Sequence, residues 1–171
     1  MLRRIVNNAA WASSTAGLWI AGGLLIYIVL HIIIEVVLRN FFGRSTGSMG
    51  EYVGYAMGTM TYLSIAHTMA SRKHVRVSLI KGILSQRMTV VVELICLAVT
   101  FAAFSFIAWY VWKVLERDFI RGSVAPTLME TPTWYIDATI FAGLLMFLLQ
   151  LVSSALDAIA VGVPEDAPEG D

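Results

Sequence analysis

The sequence predicts an all-α integral membrane protein with four transmembrane helices, and three observations support this fold class. First, 58% of the 171 residues are hydrophobic and only 14% are charged, whereas soluble domains carry about 25% charged residues. Second, four apolar segments each reach the ~20 residues that a helix needs to cross a bilayer. Third, the mean hydropathy of the chain is +0.75. We therefore expect a single membrane domain, residues 1–161, followed by a disordered acidic tail, residues 162–171.

The composition excludes several classes of function. The 12 basic and 12 acidic residues balance, so no bulk attraction to nucleic acid is expected. No Gly-rich phosphate loop, metal-ligand spacing or Ser-His-Asp set occurs, so we expect no enzyme, no catalytic residue, no metal site and no bound cofactor. His31 and His67 would lie ~18 Å apart in depth, too far to share one haem iron. The single Cys96 cannot form an intrachain disulfide.

The first span is predicted at about residues 14–38, followed by a turn rich in Gly and Ser. The apolar run is longer than the core of a secretory signal, so we expect it to be retained. Three polar residues share one face of its outer half, because they follow each other at intervals of four: His31, Glu35 and Arg39. Glu35 and Arg39 have the order and spacing of an ion pair. The pair either reaches out of lipid at the interface or contacts a partner helix.

The second span, about residues 50–69, carries a row of glycines spaced four apart: Gly50, Gly54 and Gly58. Such a small-residue row lets another helix approach closely. The sequence leaves open whether that helix belongs to this chain or to another. Glu51, Tyr55, Thr59 and His67 form a polar row on a neighbouring face.

A basic amphipathic stretch follows the second span, and residues 75–86 are predicted to form a helix lying on the membrane surface. The segment 71–87 contains five Lys or Arg residues and no acidic residue. The positive-inside rule therefore places it in the cytoplasm. With four spans, both termini are then cytoplasmic as well.

The third span is predicted at about residues 88–111, with aromatic residues at its outer end and two further helical turns that end at Gly122. A loop with two prolines connects it to the fourth span, about residues 132–160. Thr131 is the predicted N-cap of that helix and Pro132 its first residue.

Three features of this chain resemble a known family of transporter subunits. They are Glu51 at the head of the second span, the run HTMASRKHVRVSLI after that span, and the run SVAPTLMETPTWYI before the last one. In this order, on four spans with cytoplasmic ends, they resemble the small membrane subunit (Q, DctQ-like) of TRAP transporters, the tripartite ATP-independent periplasmic systems. The resemblance covers essentially Arg39 to Val152.

The resemblance implies a secondary active transporter in the bacterial inner membrane. The partner would be a large membrane subunit (M) that moves as an elevator and carries the substrate and sodium sites. A periplasmic binding protein would deliver an organic acid such as a dicarboxylate. This chain would act as a scaffold for sodium symport by the large subunit.

On this basis three groups of residues receive roles. The packing or partner interface would include Gly50, Gly54, Gly58, Glu51, His31, Glu35 and Arg39. The cytoplasmic anchor to lipid or partner would include Arg72, Lys73, His74, Arg76 and Lys81. Docking of the binding protein would involve Arg117, Asp118, Arg121 and Glu130. The alternative function is a stand-alone, self-associating four-helix carrier or sensor, in which Glu51 and Glu93 would carry protons.

Overall fold

The computed structural model describes residues 2–71, 86–127 and 129–161, and these residues form four α-helices. Their bounds are Leu2–Phe42 (α1), Met49–Ala70 (α2), Gln86–Arg121 (α3) and Trp134–Val161 (α4). Within the described ranges, extended backbone is paired only in a bridge between Val124 and Pro132. The all-helical fold class is therefore confirmed. The acidic tail and nearly all of the interfacial helix predicted at 75–86 lie outside the described residues.

Three of the four helices are long and apolar enough to cross a membrane: Arg3–Phe42, Met88–Arg121 and Trp134–Ala160. Helix α2 has 22 residues, enough to cross, but three glycines, Glu51 and several hydroxyl residues make it less apolar. It packs against both α1 and α4. Because neighbouring helices cover much of α2, its side chains need not be as apolar as those of a helix surrounded by lipid.

The helix ends differ from the predicted ones in informative ways. Helix α1 begins at Leu2, well before the predicted residue 14, and its 41 residues make it about 60 Å long. Helix α3 continues to Arg121 and stops at Gly122, as predicted; Gly122 adopts a left-handed φ of 61°, the usual conformation just after a helix. Helix α4 begins at Trp134, so the predicted start at Pro132 with Thr131 as its cap is wrong.

A stripe repeating every seven residues buries one face of α1. Ser14, Ala21, Ile28 and Glu35 are all buried. A seven-residue repeat keeps one stripe in contact with its neighbours when helices cross at about 20° in a left-handed bundle. In the N-terminal half of the stripe, at Ser14 and Ala21, the side chains are small, which allows α2 and α4 to come close.

Among the described glycines, Gly17 and Gly143 lie close to a neighbouring helix, whereas the glycine row of α2 does not. A Cβ atom built on Gly17 of α1 would lie 2.6 Å from the Leu63 carbonyl oxygen of α2. One built on Gly143 of α4 would lie 2.6 Å from the Tyr62 carbonyl oxygen. Helix α2 is therefore held between a glycine of α1 and a glycine of α4. A larger residue at either position would push against backbone, which cannot move aside as a side chain can.

Helix α4 packs against each of the other three helices, and aromatic pairs join it to α3. Phe104 and Phe147 lie 4.6 Å apart between ring centroids, and Trp112 and Phe141 lie 5.2 Å apart. Phe147 also belongs to a buried cluster with Ala66 of α2, so the core is shared by α2, α3 and α4.

A polar cluster ties the first turns of α1 to the last turns of α4. We call Arg3, Asn7, Ser153 and Asp157 the terminal polar cluster. Arg3 Nη2 lies 2.8 Å from Asp157 Oδ1, and Asn7 Nδ2 donates to the same oxygen at 2.9 Å. Ser153 Oγ donates to Asn7 Oδ1 at 2.9 Å. The sequence analysis missed this cluster because it placed the start of the first span near residue 14.

Reversing the charge at one end of the Arg3–Asp157 pair should destabilise the bundle, and reversing both should restore part of the loss. We expect Asp157→Arg to lower the free energy of unfolding by about 1 kcal/mol, since the pair is partly exposed and such pairs are weak. The double variant Arg3→Asp/Asp157→Arg should recover stability in a thermal melt in detergent. Arg4→Asp, at an exposed neighbour, is the control. A double variant no more stable than Asp157→Arg would contradict the pairing.

Candidate functional site

The buried carboxylate of Glu35 organises the turn between α1 and α2. Glu35 is only 2% exposed. It accepts hydrogen bonds from the backbone N–H of Thr46 at 3.0 Å, from the Thr46 hydroxyl at 2.6 Å, and from the Ser45 hydroxyl. Gly43 and Gly47 adopt φ values of 59° and 69°, which glycine tolerates without strain and which allow the chain to fold back.

The predicted ion pair between Glu35 and Arg39 is present, but it is longer than the hydrogen bonds that Glu35 accepts from Thr46 in the turn. The Arg39 Nη2 atom lies 3.4 Å from Glu35 Oε1, and the Arg39 side chain is 70% exposed. One turn earlier, the His31 ring lies 5.5 Å from that of Tyr27 and 6.4 Å from that of Tyr52 on α2. Glu35 and His31 therefore face α2 and its connecting turn within this chain. A role for them at a partner interface stays a prediction.

Removing the Glu35 carboxylate should loosen this turn far more than removing Arg39. Glu35→Ala leaves the Thr46 N–H and two hydroxyl groups without their acceptor, a loss of about 1–3 kcal/mol. Arg39→Ala should cost less than 1 kcal/mol, because its side chain is mostly exposed. Thermal melts of the two variants in detergent compare these costs. Equal destabilisation by both variants would contradict the assignment of Glu35 to the turn.

The loop between α3 and α4, residues 122–133, is closed at its base by Asp118. We call it the outer loop, because the predicted orientation places it outside the cytoplasm. Asp118 accepts hydrogen bonds from Thr133 Oγ1 at 2.8 Å, Arg117 Nε at 3.1 Å and Ser123 Oγ at 3.4 Å. Inside the loop, the Ala125 N–H donates to the Thr131 carbonyl at 2.9 Å. The described residues of the outer loop, 122–127 and 129–133, thus form a hydrogen-bonded turn.

Three residues of the polar row of α2, Glu51, Tyr55 and Thr59, face the outer loop and α4. The ring of the fourth, His67, lies 5.5 Å from that of Trp11 on α1. The Tyr55 hydroxyl donates to Glu51 Oε1 at 3.1 Å, and the Glu51 carboxylate lies near the side chains of Thr127 and Thr131 in the outer loop. One turn further along, the hydroxyl groups of Thr59 and Thr139 are 2.9 Å apart. These three residues therefore make contacts inside the chain. Glu51, at the start of α2, lies beside the outer loop.

The glycine face of α2, defined as Gly50, Gly54 and Gly58, is uncovered by the part of the chain that the structure describes. A Cβ atom built on any of the three would meet no heavy atom within 4 Å. The face continues with exposed Met57 and Thr61, and the Thr61 hydroxyl donates to the Met57 carbonyl of its own helix at 2.8 Å. The described residues of the chain do not make the close contact predicted for these glycines. Contact with another chain stays a prediction.

The four predicted docking residues do not share one environment. Arg121 and Glu130 are exposed, and the Arg117 side chain is 52% exposed while it pairs with Asp118. The Asp118 side chain is only 13% exposed, because it is turned toward the base of the outer loop. Exposed apolar side chains lie among these charges, at Phe119, Ile120, Val124 and Met129. The predicted cytoplasmic anchor residues all lie outside the described part of the chain.

The chain matches a known protein family over most of its length. The family model for the DctQ component of tripartite ATP-independent periplasmic transporters matches residues 28–161, most of the chain. The chain belongs to the DctQ family. The matched range begins within α1 and includes the turn held by Glu35, all of α2 and the outer loop. A search of curated proteins and a search of solved structures gave no match.

Membership of the DctQ family confirms the resemblance that was drawn from Glu51 and from the runs HTMASRKHVRVSLI and SVAPTLMETPTWYI. A DctQ protein is one component of a multi-part membrane transporter. Together with the three candidate spans, this makes the chain a multi-pass membrane protein that functions with other subunits.

Proposed function

We propose that this DctQ protein is the small membrane subunit that serves as a scaffold for the large elevator-type subunit. The complex would take up an organic acid such as a dicarboxylate, driven by sodium and supplied by a periplasmic binding protein. The substrate and sodium sites would lie on the large subunit. The chain would cross the bacterial inner membrane four times, with both termini in the cytoplasm. The observation that carries the scaffold role is the uncovered glycine face of α2.

The glycine face is better suited to a protein partner than to lipid. Glycine exposed to lipid gains nothing, whereas small residues permit close packing of another helix. Helix α2 is also the helix that does not qualify as a candidate span by its own composition. A partner helix over the glycine face would cover this weakly apolar surface, just as α1 and α4 cover its other sides.

The length of the apolar surface on α1 also supports a large partner. Exposed apolar side chains run from Ile5 to Phe42, a distance of about 55 Å at 1.5 Å per residue. A hydrocarbon core of ~30 Å covers only ~40 Å of helix even at a tilt of 40°. We infer that part of this surface packs against protein outside the lipid core.

The helices themselves fit a scaffold better than a stand-alone carrier. The candidate spans in α1, α3 and α4 are continuous helices, whereas secondary transporters bind their substrates at interrupted helices near the membrane centre. The stand-alone alternative has Glu51 and Glu93 as its candidate proton carriers. In the structure, Glu51 accepts a hydrogen bond from Tyr55 and lies beside the outer loop.

Reconstituted uptake tests the proposed function. The large subunit and the binding protein would be assayed in proteoliposomes with and without this chain, using a panel of radiolabelled organic acids and an inward sodium gradient. We expect uptake that requires this chain and collapses without the gradient. Equal uptake in the absence of this chain, or sodium-independent uptake by this chain alone, would contradict the proposal.

A further inference from the structure

The end of α3 is fixed by a hydrogen-bonded cap in which Asp118 takes part twice. The N–H of Ser123 donates to the Asp118 carbonyl at 3.0 Å, and the N–H of Gly122 donates to the Phe119 carbonyl at 3.4 Å. With Gly122 in the left-handed conformation, these bonds form a Schellman cap. The Asp118 carboxylate lies over the same cap and accepts from the Ser123 hydroxyl.

The start of α4 is fixed to the same carboxylate. Thr133 immediately precedes α4, and its carbonyl accepts the N–H groups of Ile136 and Asp137. A threonine at this position ordinarily uses its hydroxyl to cap the helix that follows. Here the hydroxyl donates instead to Asp118 at 2.8 Å and lies 3.2 Å from the Ser123 carbonyl. One side chain therefore joins the end of α3 to the beginning of α4.

Between these fixed ends the outer loop presents a mixed surface. Ala125 is buried, and its N–H bonds the Thr131 carbonyl. Val124, Met129 and Glu130 are exposed. The exposed side chains of Arg117 and Arg121 lie at the end of α3. The exposed apolar side chains of the loop therefore lie among side chains of both charges. Such a mixed surface suits contact with a soluble protein.

We propose that Asp118 is a positioning residue that holds the outer loop in the shape that docks a soluble periplasmic binding protein. The identity of the partner rests on the proposed function, but closure of the loop does not. Asp118 acts through the loop, because its own carboxylate is occupied within the chain. A loop that must be ordered during docking binds more weakly than one already ordered. Loss of Asp118 should therefore weaken docking and leave the transport step itself intact.

The test combines two variants that break the same hydrogen bond from opposite sides. Asp118→Ala removes the acceptor, and Thr133→Val removes the donor without changing the charge. Glu116→Ala, at an exposed acid two residues from Asp118, is the matched control. Each variant would be studied in the whole transporter complex, and the double variant Asp118→Ala/Thr133→Val would show whether the two residues act as a pair.

Two measurements test separately whether Asp118 keeps the outer loop closed and whether the loop docks the binding protein. Hydrogen–deuterium exchange of the outer-loop peptide reports closure directly, and uptake against binding-protein concentration reports docking. We expect loop exchange about tenfold faster in both single variants, no further change in the double variant, and wild-type exchange in Glu116→Ala. The half-saturating concentration of binding protein should rise about tenfold, with an unchanged rate at saturation.

Any other result would contradict either the closure of the loop by Asp118, the role of the loop in docking, or the proposed function. Unchanged loop exchange in Asp118→Ala would overturn the closure of the loop by Asp118, whatever the chain does in transport. Faster exchange with an unchanged half-saturating concentration would overturn the role of the loop in docking. A lower rate at saturation with unchanged half-saturation would also overturn it. Uptake that does not need this chain would instead refute the proposed function, and the exchange result would still stand for the loop.

Discussion

Replacing Gly143 with leucine is expected to destabilise the helix bundle strongly. A Cβ atom at this position would lie 2.6 Å from the Tyr62 carbonyl oxygen and 2.7 Å from its carbonyl carbon. Overpacking costs about 1–3 kcal/mol where side chains can adjust, and we expect a cost at the upper end because the obstacle is backbone. The melting temperature in detergent should fall by roughly 10 °C, with aggregated protein in size-exclusion chromatography.

Gly54→Leu in the same preparation is the matched control for this prediction. It makes the same substitution on a neighbouring helix, but nothing lies within 4 Å of the added Cβ atom. The isolated chain should therefore keep its melting temperature within about 1–2 °C. A Gly143→Leu protein as stable as Gly54→Leu would show that α2 and α4 are not in close contact.

Leucine at both Gly54 and Gly58 is expected to release the large subunit while the isolated chain stays folded. The two side chains would fill the glycine face, where we propose that a partner helix packs. Recovery of the large subunit with the tagged chain should fall at least tenfold, and sodium-driven uptake should fall with it. The loss follows from steric exclusion of the partner, since a Cβ atom added at either position meets no described atom of this chain within 4 Å.

Ala103→Leu on the exposed surface of α3 is the control for the double glycine variant. It adds the same side chain at an exposed position of another helix, away from the glycine face. Recovery of the large subunit should match the wild type. If the Gly54→Leu/Gly58→Leu complex stays intact and active, the glycine face does not pack against the partner.

The sequence predicted the four described helices in their order, because long apolar runs and Gly122 mark them directly. It also predicted the Glu35–Arg39 pair from its spacing. The stronger bonds from Ser45 and Thr46 to Glu35 depend on how the turn folds back, and no spacing rule reveals that. Thr133 precedes α4 where Thr131 was expected to cap it, and the hydroxyl of Thr133 bonds Asp118, which lies 15 residues away.

Glycines were the hardest residues to interpret from sequence alone. The regular row on α2 drew attention, yet the close contacts found at described glycines lie at Gly17 and Gly143, neither of which belongs to a row of glycines spaced four apart. Their importance comes from the backbone of Tyr62 and Leu63 opposite them. The terminal polar cluster could have been found, since Arg3 and Asn7 on α1, and Ser153 and Asp157 on α4, are each spaced four apart and so share a helix face.

Purification from native membranes tests the scaffold role most directly. The tagged chain would be extracted in mild detergents, and the proteins that accompany it would be identified and quantified by mass spectrometry. The account predicts a large hydrophobic subunit in equal amount, lost from the Gly54→Leu/Gly58→Leu variant. A monomer or homodimer without a large partner, found in every detergent tested, would contradict it.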